Sequence, residues 1–191
     1  TDGGQTWAKH PDPVTQRYFY SVTFPDARHG TAVGSMGTIL HTSDGGTTWV
    51  DQSIPGYAFS GVSFVDSNRG VVVDYGWSAS IGFLFRTTDG GTTWNEQLHD
   101  PYSYCCGGGL ADAEYVDTST IVAVGPDRVS RSTDGGSTWN SSVLPWAGGS
   151  GVSFATGTTG ARVGWSGVSR TTDAGATWTN LGILAHWLQS V

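Results

Sequence analysis

The sequence predicts an all-β protein built as a β-propeller of four-stranded antiparallel blades, and three observations predict it. A short box, [Ser/Thr]-x-Asp-Gly/Ala-Gly-x-Thr-Trp, occurs five times, truncated in its first copy, with its aspartates 42, 45, 45 and 39 residues apart. Each interval holds four short apolar stretches separated by turn residues, the content of one blade. The 191 residues include 29 Gly and 9 Trp with only 13% charged, a turn-rich composition that excludes disorder.

The elements follow in order along each unit. The first strand alternates through Tyr18-Phe19-Tyr20-Ser21-Val22-Thr23-Phe24, with counterparts at 59–64, 110–115 and 151–154; period-2 alternation marks a strand. A polar turn such as Val65-Asp66-Ser67-Asn68-Arg69-Gly70 leads to a second strand, at 31–34, 71–73, 121–124 and 161–163. A short Gly-containing loop precedes the third strand, marked by Ile39, Leu84, Val129 and Val168, which runs into the box. The box turns the chain into strand four: Asp-Gly favours a hairpin because Gly supplies positive φ, and the aspartate accepts the turn's amides. The structural set is Asp2 and Trp7, Asp44 and Trp49, Asp89 and Trp94, Asp134 and Trp139, and Asp173 and Trp178. Each Trp is expected to bury on the order of 150–250 Å² against the neighbouring sheet.

One such meander cannot bury both faces, so adjacent blades must cover one another. The chain reads as a single domain over 1–191, with repeats at 17–52, 57–98, 108–142 and 149–181. A fifth blade is divided between a fourth strand in 1–9 and a first strand at 186–191; its two middle strands are missing, so the sequence reads as a segment of a larger propeller.

These boxes resemble the Asp-box, or BNR, repeat of sialidases, sortilin-type receptors, xyloglucanases and the photosystem II stability and assembly factors. The stretch from Gly30 to Trp49 is most similar to the last of these. The resemblance implies a propeller. It does not by itself imply an activity, because enzymes and binding proteins share the box.

Net charge of −7, with Lys9 the single lysine among nine basic residues, leaves no basic stripe, and nucleic-acid binding is not expected. No apolar run approaches the ~20 residues of a membrane-spanning helix, so membrane insertion is not expected either. Few lysines with abundant Thr, Gly and Trp suit an extracytoplasmic location. Asn140-Ser141-Ser142 is a formal glycosylation sequon. The adjacent Cys105 and Cys106 exclude a disulfide framework and a CxxC site, leaving a vicinal disulfide or two free thiols. His10, His29, His41, His99 and His186 lack ligand spacing and Asp-Gly-Gly lacks a calcium-loop ladder, so neither metal nor cofactor is expected.

In this topology the boxes lie on one face, whereas the loops between strands two and three and between blades lie on the other, where ligands are expected. Departures from the repeat mark the candidates. The loop read at 74–82 carries Asp74, Tyr75 and Trp77, and the connection from His99 to Gly109 carries Tyr102 and Tyr104; Trp146 and Trp165 add aromatic surface. Asp112 and Glu114 replace Gly or small hydroxyl residues of other first strands, and alternation places both on one face near the central channel. They are expected to pair with arginines or water, or, in an enzyme, to act with Asp74 as general acid and base. Arg86, Arg131 and Arg170, with His41 at the same place, are spread around the ring, so they are expected to lace strands together rather than grip one carboxylate.

The leading functional reading is a non-catalytic scaffold that binds a protein or other macromolecule through its loop face, as the resemblance to assembly factors implies. A second is a glycan-binding or glycoside-hydrolysing propeller; a third is a structural module that self-associates in a larger assembly.

Overall fold

The computed structural model describes residues 5–6, 17–76, 82–100, 109–144, 149–164 and 167–181. Sixteen strands among them form four four-stranded antiparallel sheets, each a meander in chain order. Blade one comprises β1 (Phe19–Thr23), β2 (Gly30–Gly34), β3 (Ile39–Thr42) and β4 (Val50–Asp51). Blade two comprises β5 (Phe59–Phe64), β6 (Gly70–Asp74), β7 (Gly82–Thr87) and β8 (Asn95–Asp100). Blade three holds β9 (Asp112–Tyr115), β10 (Ile121–Val124), β11 (Arg128–Ser132) and β12 (Asn140–Val143). Blade four holds β13 (Gly151–Phe154), β14 (Gly160–Gly164), β15 (Gly167–Thr171) and β16 (Thr179–Asn180). The divided fifth blade falls outside the described residues, apart from Gln5 and Thr6, which carry no strand.

Blade two differs from its sequence reading at both ends. Asp74 closes β6 by pairing with Phe59 and Phe83, and β8 continues to Asp100 by pairing with Gly82. Ladder pairing thus extends the sheet into residues that composition alone assigns to loops. The turns between first and second strands are closed by side chains: Asp26, Asp66 and Asp117 each accept two backbone N–H groups at 2.7–2.9 Å.

The core is a series of inter-blade layers. Val33 and Ile39 of blade one pack with Val62, Phe64, Val72, Phe85 and Trp94 of blade two. Val71, Val73 and Leu84 then meet Ala113, Ile121, Ala123 and Trp139 of blade three. Val122, Val124 and Val129 meet Val152, Phe154 and Trp178 of blade four. Each of these box tryptophans therefore contributes to the layer shared with the preceding blade.

Behind three of the box tryptophans lies a clasp. The rings of Phe24, Phe64 and Phe154 stand edge-on to Trp49, Trp94 and Trp178, with centroids 6.2, 6.0 and 6.3 Å apart. They cover Gly30, Gly70 and Gly160, where an added Cβ would meet the ring at 2.5–2.6 Å. Blade three breaks the pattern, pairing Tyr115 with Ile121 at this position.

Candidate functional site

The boxes are closed hydrogen-bonded turns. In blade one, buried Thr42 donates its hydroxyl to Asp44 Oδ1 at 2.8 Å and accepts Gly46 N–H at 2.9 Å. Asp44 Oδ1 accepts Thr48 N–H at 2.8 Å, and Oδ2 accepts the Thr48 hydroxyl at 2.7 Å. Asp89, Asp134 and Asp173 repeat this arrangement with Thr93, Thr138 and Thr177. Those donors hold Asp44, Asp134 and Asp173 down at about 2. The glycines take the left-handed conformation as expected, but the box of blade four places Ala174 there, at φ 57.

The amides of Gly45, Gly90, Gly135 and Ala174 donate to Arg28, Asn68, Ser119 and Thr158 carbonyls at 2.7–2.9 Å. This binds each box to its blade's first hairpin, so both hairpins share one end. Asp2 and Trp7 lie outside the described residues.

Asp112 and Glu114 stand on one side of β9, as alternation requires, and both accept backbone N–H groups. Asp112 Oδ2 accepts Val152 N–H and Glu114 Oε2 accepts Phe154 N–H, each at 3.0 Å, and Asp112 Oδ1 accepts Ala113 N–H at 2.9 Å. The two acids thus stitch β9 to β13 of the next blade. Between β5 and β9 the shorter Ser63 hydroxyl does the same, accepting Tyr115 N–H at 3.0 Å. Burial raises the Asp112 carboxyl, and burial together with the nearby Asp112 charge raises Glu114 to about 7. Glu114 is therefore a partly buried acid that titrates near neutrality.

Asp74 is buried, not displayed on a loop. Its Oδ1 accepts Ala58 N–H at 2.8 Å and its carbonyl accepts Leu110 N–H at 3.0 Å, tying the end of β6 to the linker entering blade three. Burial raises its carboxyl. Tyr75 is partly exposed beside it, and its carbonyl accepts Gly109 N–H at 2.8 Å. Trp77, Tyr102, Tyr104, Trp146 and Trp165, like Cys105 and Cys106, lie outside the described residues.

The third-strand arginines do not converge. Arg131 Nε donates to Ala174 O in the next blade's box at 2.8 Å, and Arg86 lies against Gly136 of the blade after its own. At the first junction Gln52 takes this role, donating to Gly90 O at 3.3 Å. Between blades three and four, Val129, Arg131, Asn140, Leu144 and Trp178 line a groove of about 380 Å³. It opens beside a box, on the side where the sequence reading places no ligand.

One residue in this layer is not anticipated by motif or spacing. Arg162 is 3% exposed, with Nε and Nη1 lacking hydrogen-bond partners, and its guanidinium lies 5.8 Å from the Trp178 ring centroid. Ala32, Val72 and Ala123 hold the equivalent ladder position in the other blades. An arginine among small apolar counterparts is the signal that could have found it.

The profile of the family described as photosynthesis system II assembly factor YCF48 matches residues 1–101. The photosystem II stability/assembly factor HCF136, chloroplastic, of Guillardia theta is 38% identical over 68 residues, 31% of this chain and 17% of that protein. The structure of YCF48 bound to D1 peptide superposes with a TM-score of 0.64 at 24% identity, over 86% of this chain and 53% of that one. YCF48 from Cyanidioschyzon merolae gives 0.66 at 23%, over 88% and 57%. The GH74 xyloglucanase from Xanthomonas campestris gives 0.63 at 15%, over 82% and 28%. The chain thus spans about half the length of these YCF48 structures and under a fifth of the curated relative. At such identities the structural likeness establishes the shared fold.

Proposed function

The chain belongs to the photosynthesis system II assembly factor YCF48 family, and from that premise we propose that it is a non-catalytic propeller scaffold that binds an extended peptide of a protein partner. The observation that carries this reading is the family match, joined by the solved YCF48 structure with a D1 peptide. The geometry agrees: the box aspartates are engaged in their own turns, and Asp112 and Glu114 are engaged with the backbone of β13. The loop end around Tyr75 and Trp77 is the surface we assign to the partner. An extracytoplasmic location fits the lysine-poor composition and the chloroplastic relative.

The test is fluorescence anisotropy with a labelled D1 peptide. Saturable binding with a Kd on the order of micromolar is expected, about −8 kcal/mol, weakened roughly tenfold, about 1.4 kcal/mol, by Tyr75→Ala combined with Trp77→Ala. No saturation up to about 1 mM, some −4 kcal/mol, would refute the reading.

One observation favours a glycoside-active alternative, namely Glu114 held at about 7, a value suited to a general acid. That alternative requires hydrolysis on a glycan panel that Glu114→Ala abolishes without loss of folding.

A further inference from the structure

We propose that the outer rim of the seam between blades three and four is a second peptide-binding surface, where an extended segment of a protein partner adds as a further strand to β12. The segment it fits reads apolar-x-acidic. This inference is independent of the loop end and of what binds there.

β12 is the outermost strand of its sheet, and the four outermost strands differ in how open they are. β4 and β16 are two residues long, and β8 carries Glu96, His99 and Asp100. Short or charged edges resist a further strand. β12 has four residues, Asn140-Ser141-Ser142-Val143, all exposed and none charged. Blades two and four pack on the two faces of blade three, so a further blade of the propeller has no place beside it.

The ladder determines which groups the edge offers. Leu144 N–H donates to Asp127 O at 2.7 Å, and the register pairs Ser142 with Val129 and Asn140 with Arg131. Antiparallel pairing alternates, so the backbone groups of Ser142 and Asn140 turn inward to β11 and those of Ser141 and Val143 turn outward. Two N–H donors and two carbonyl acceptors, spaced two residues apart, are what an added antiparallel strand takes up.

The side chains beside the edge set the sequence that fits. Asn140 and Ser142 face the groove, with Val129 and Arg131 next to them on β11 and Trp178 across it. The groove is open because Ser142 is small: Leu98 stands opposite Leu84 in blade two, and Gln52 crosses the first junction to Gly90. A residue added opposite Ser142 meets Val129, Leu144 and Trp178, so an apolar side chain fits there. A residue added opposite Asn140 lies two strand spacings from Arg131, roughly 10 Å, which a glutamate and an arginine side chain span together. Arg131 is half-buried with Nε latched to Ala174 O, and no acid is among the described residues that line the groove. In an antiparallel strand the apolar residue precedes the acidic one by two positions.

The probe is acetyl-Thr-Thr-Leu-Thr-Glu-Thr-Thr-amide, titrated into the isotope-labelled chain and followed by amide NMR. The Ser141 and Val143 amides and the Trp178 indole N–H should shift together and saturate, with a Kd below about 1 mM. N-methylation of the two threonines flanking the leucine blocks the groups that face β12 and should abolish these shifts. N-methylation of the leucine and the glutamate, whose N–H groups face away, should not. Glutamine in place of the peptide's glutamate should weaken binding about fivefold, as loss of a partly exposed ion pair does. Val143→Pro removes an outward N–H that the sheet does not use, so it should keep wild-type circular dichroism and bind about tenfold more weakly. Absence of saturable shifts at Ser141 and Val143 overturns the proposal, as does equal binding of the two N-methylated peptides. A dimer of the free chain that Val143→Pro abolishes assigns the edge to a second copy and overturns it as well.

Discussion

Replacing Thr87 by Val should destabilise the protein through a single buried amide. Thr87 is buried, and its hydroxyl donates to Asp89 Oδ1 at 2.8 Å while accepting Gly91 N–H at 2.9 Å. Valine keeps the shape and removes both bonds, together with the longer one in which the hydroxyl accepts Asp89 N–H at 3.2 Å. Asp89 lies at the surface and recovers water, so its lost bond costs little. Gly91 is buried, and its N–H is left without an acceptor, a penalty of about 1–3 kcal/mol. The net expectation is about 2 kcal/mol, or a Tm lowered by roughly 4–8 °C for a domain of this size. Urea unfolding followed by tryptophan fluorescence measures it as a lower midpoint at constant slope. Thr88→Val, at the exposed neighbouring position, is the control and should stay within about 0.5 kcal/mol. If the two variants unfold together, the buried hydroxyl does not close the box and the reasoning fails.

Three further outcomes follow, two of them from the layer between blades three and four. Glu114, raised from 4.5 to about 7, stays protonated in the folded chain while the unfolded chain ionises, so stability falls as pH rises through that window. Glu114→Gln keeps an acceptor for Phe154 N–H; urea midpoints should match wild type near pH 4 and exceed it at pH 8 by about 1–2 kcal/mol after solvent screening. The box aspartates act with opposite sign: held at about 2 against 3.8, Asp44, Asp134 and Asp173 contribute stability that is lost as pH falls through that range. Arg162→Met places an apolar chain where other blades carry Ala or Val, and should raise stability by about 1–3 kcal/mol in thermal unfolding. A lower Tm for that variant would show that the guanidinium has a partner.

Much of the blade was legible residue by residue. The alternation in Phe59-Ser60-Gly61-Val62-Ser63-Phe64 and the Asp-Gly-Gly turns are local signals, and β5 and the box hairpins lie where those signals place them. Asp112 and Glu114 were recognised as departures from the repeat, but not for what they touch. Their acceptor role depends on N–H groups 40 residues further along the chain, whose distance is set by how blade four packs on blade three. The same holds for Arg131, which reaches a carbonyl 43 residues away, and for Asp74, which the ladder draws into β6 and buries. Arg162 was missed because a strand-two arginine in an alternating segment reads as solvent-facing.

By itself, then, the sequence determined the blade: period-2 alternation, turn aspartates and paired glycines act over a few residues, and their spacing dictates a four-stranded meander near every fortieth residue. Tertiary structure decided the chemistry of each departure from that repeat. Burial, and the approach of one blade's backbone to the next, made Asp112 and Glu114 stitches between strands and raised the Glu114 carboxyl to about 7. Those effects depend on desolvation and on distances between sheets, which residue order does not encode locally. The boxes that repeat along the chain specify turns, and the packing between blades specifies which side chains remain available to a partner.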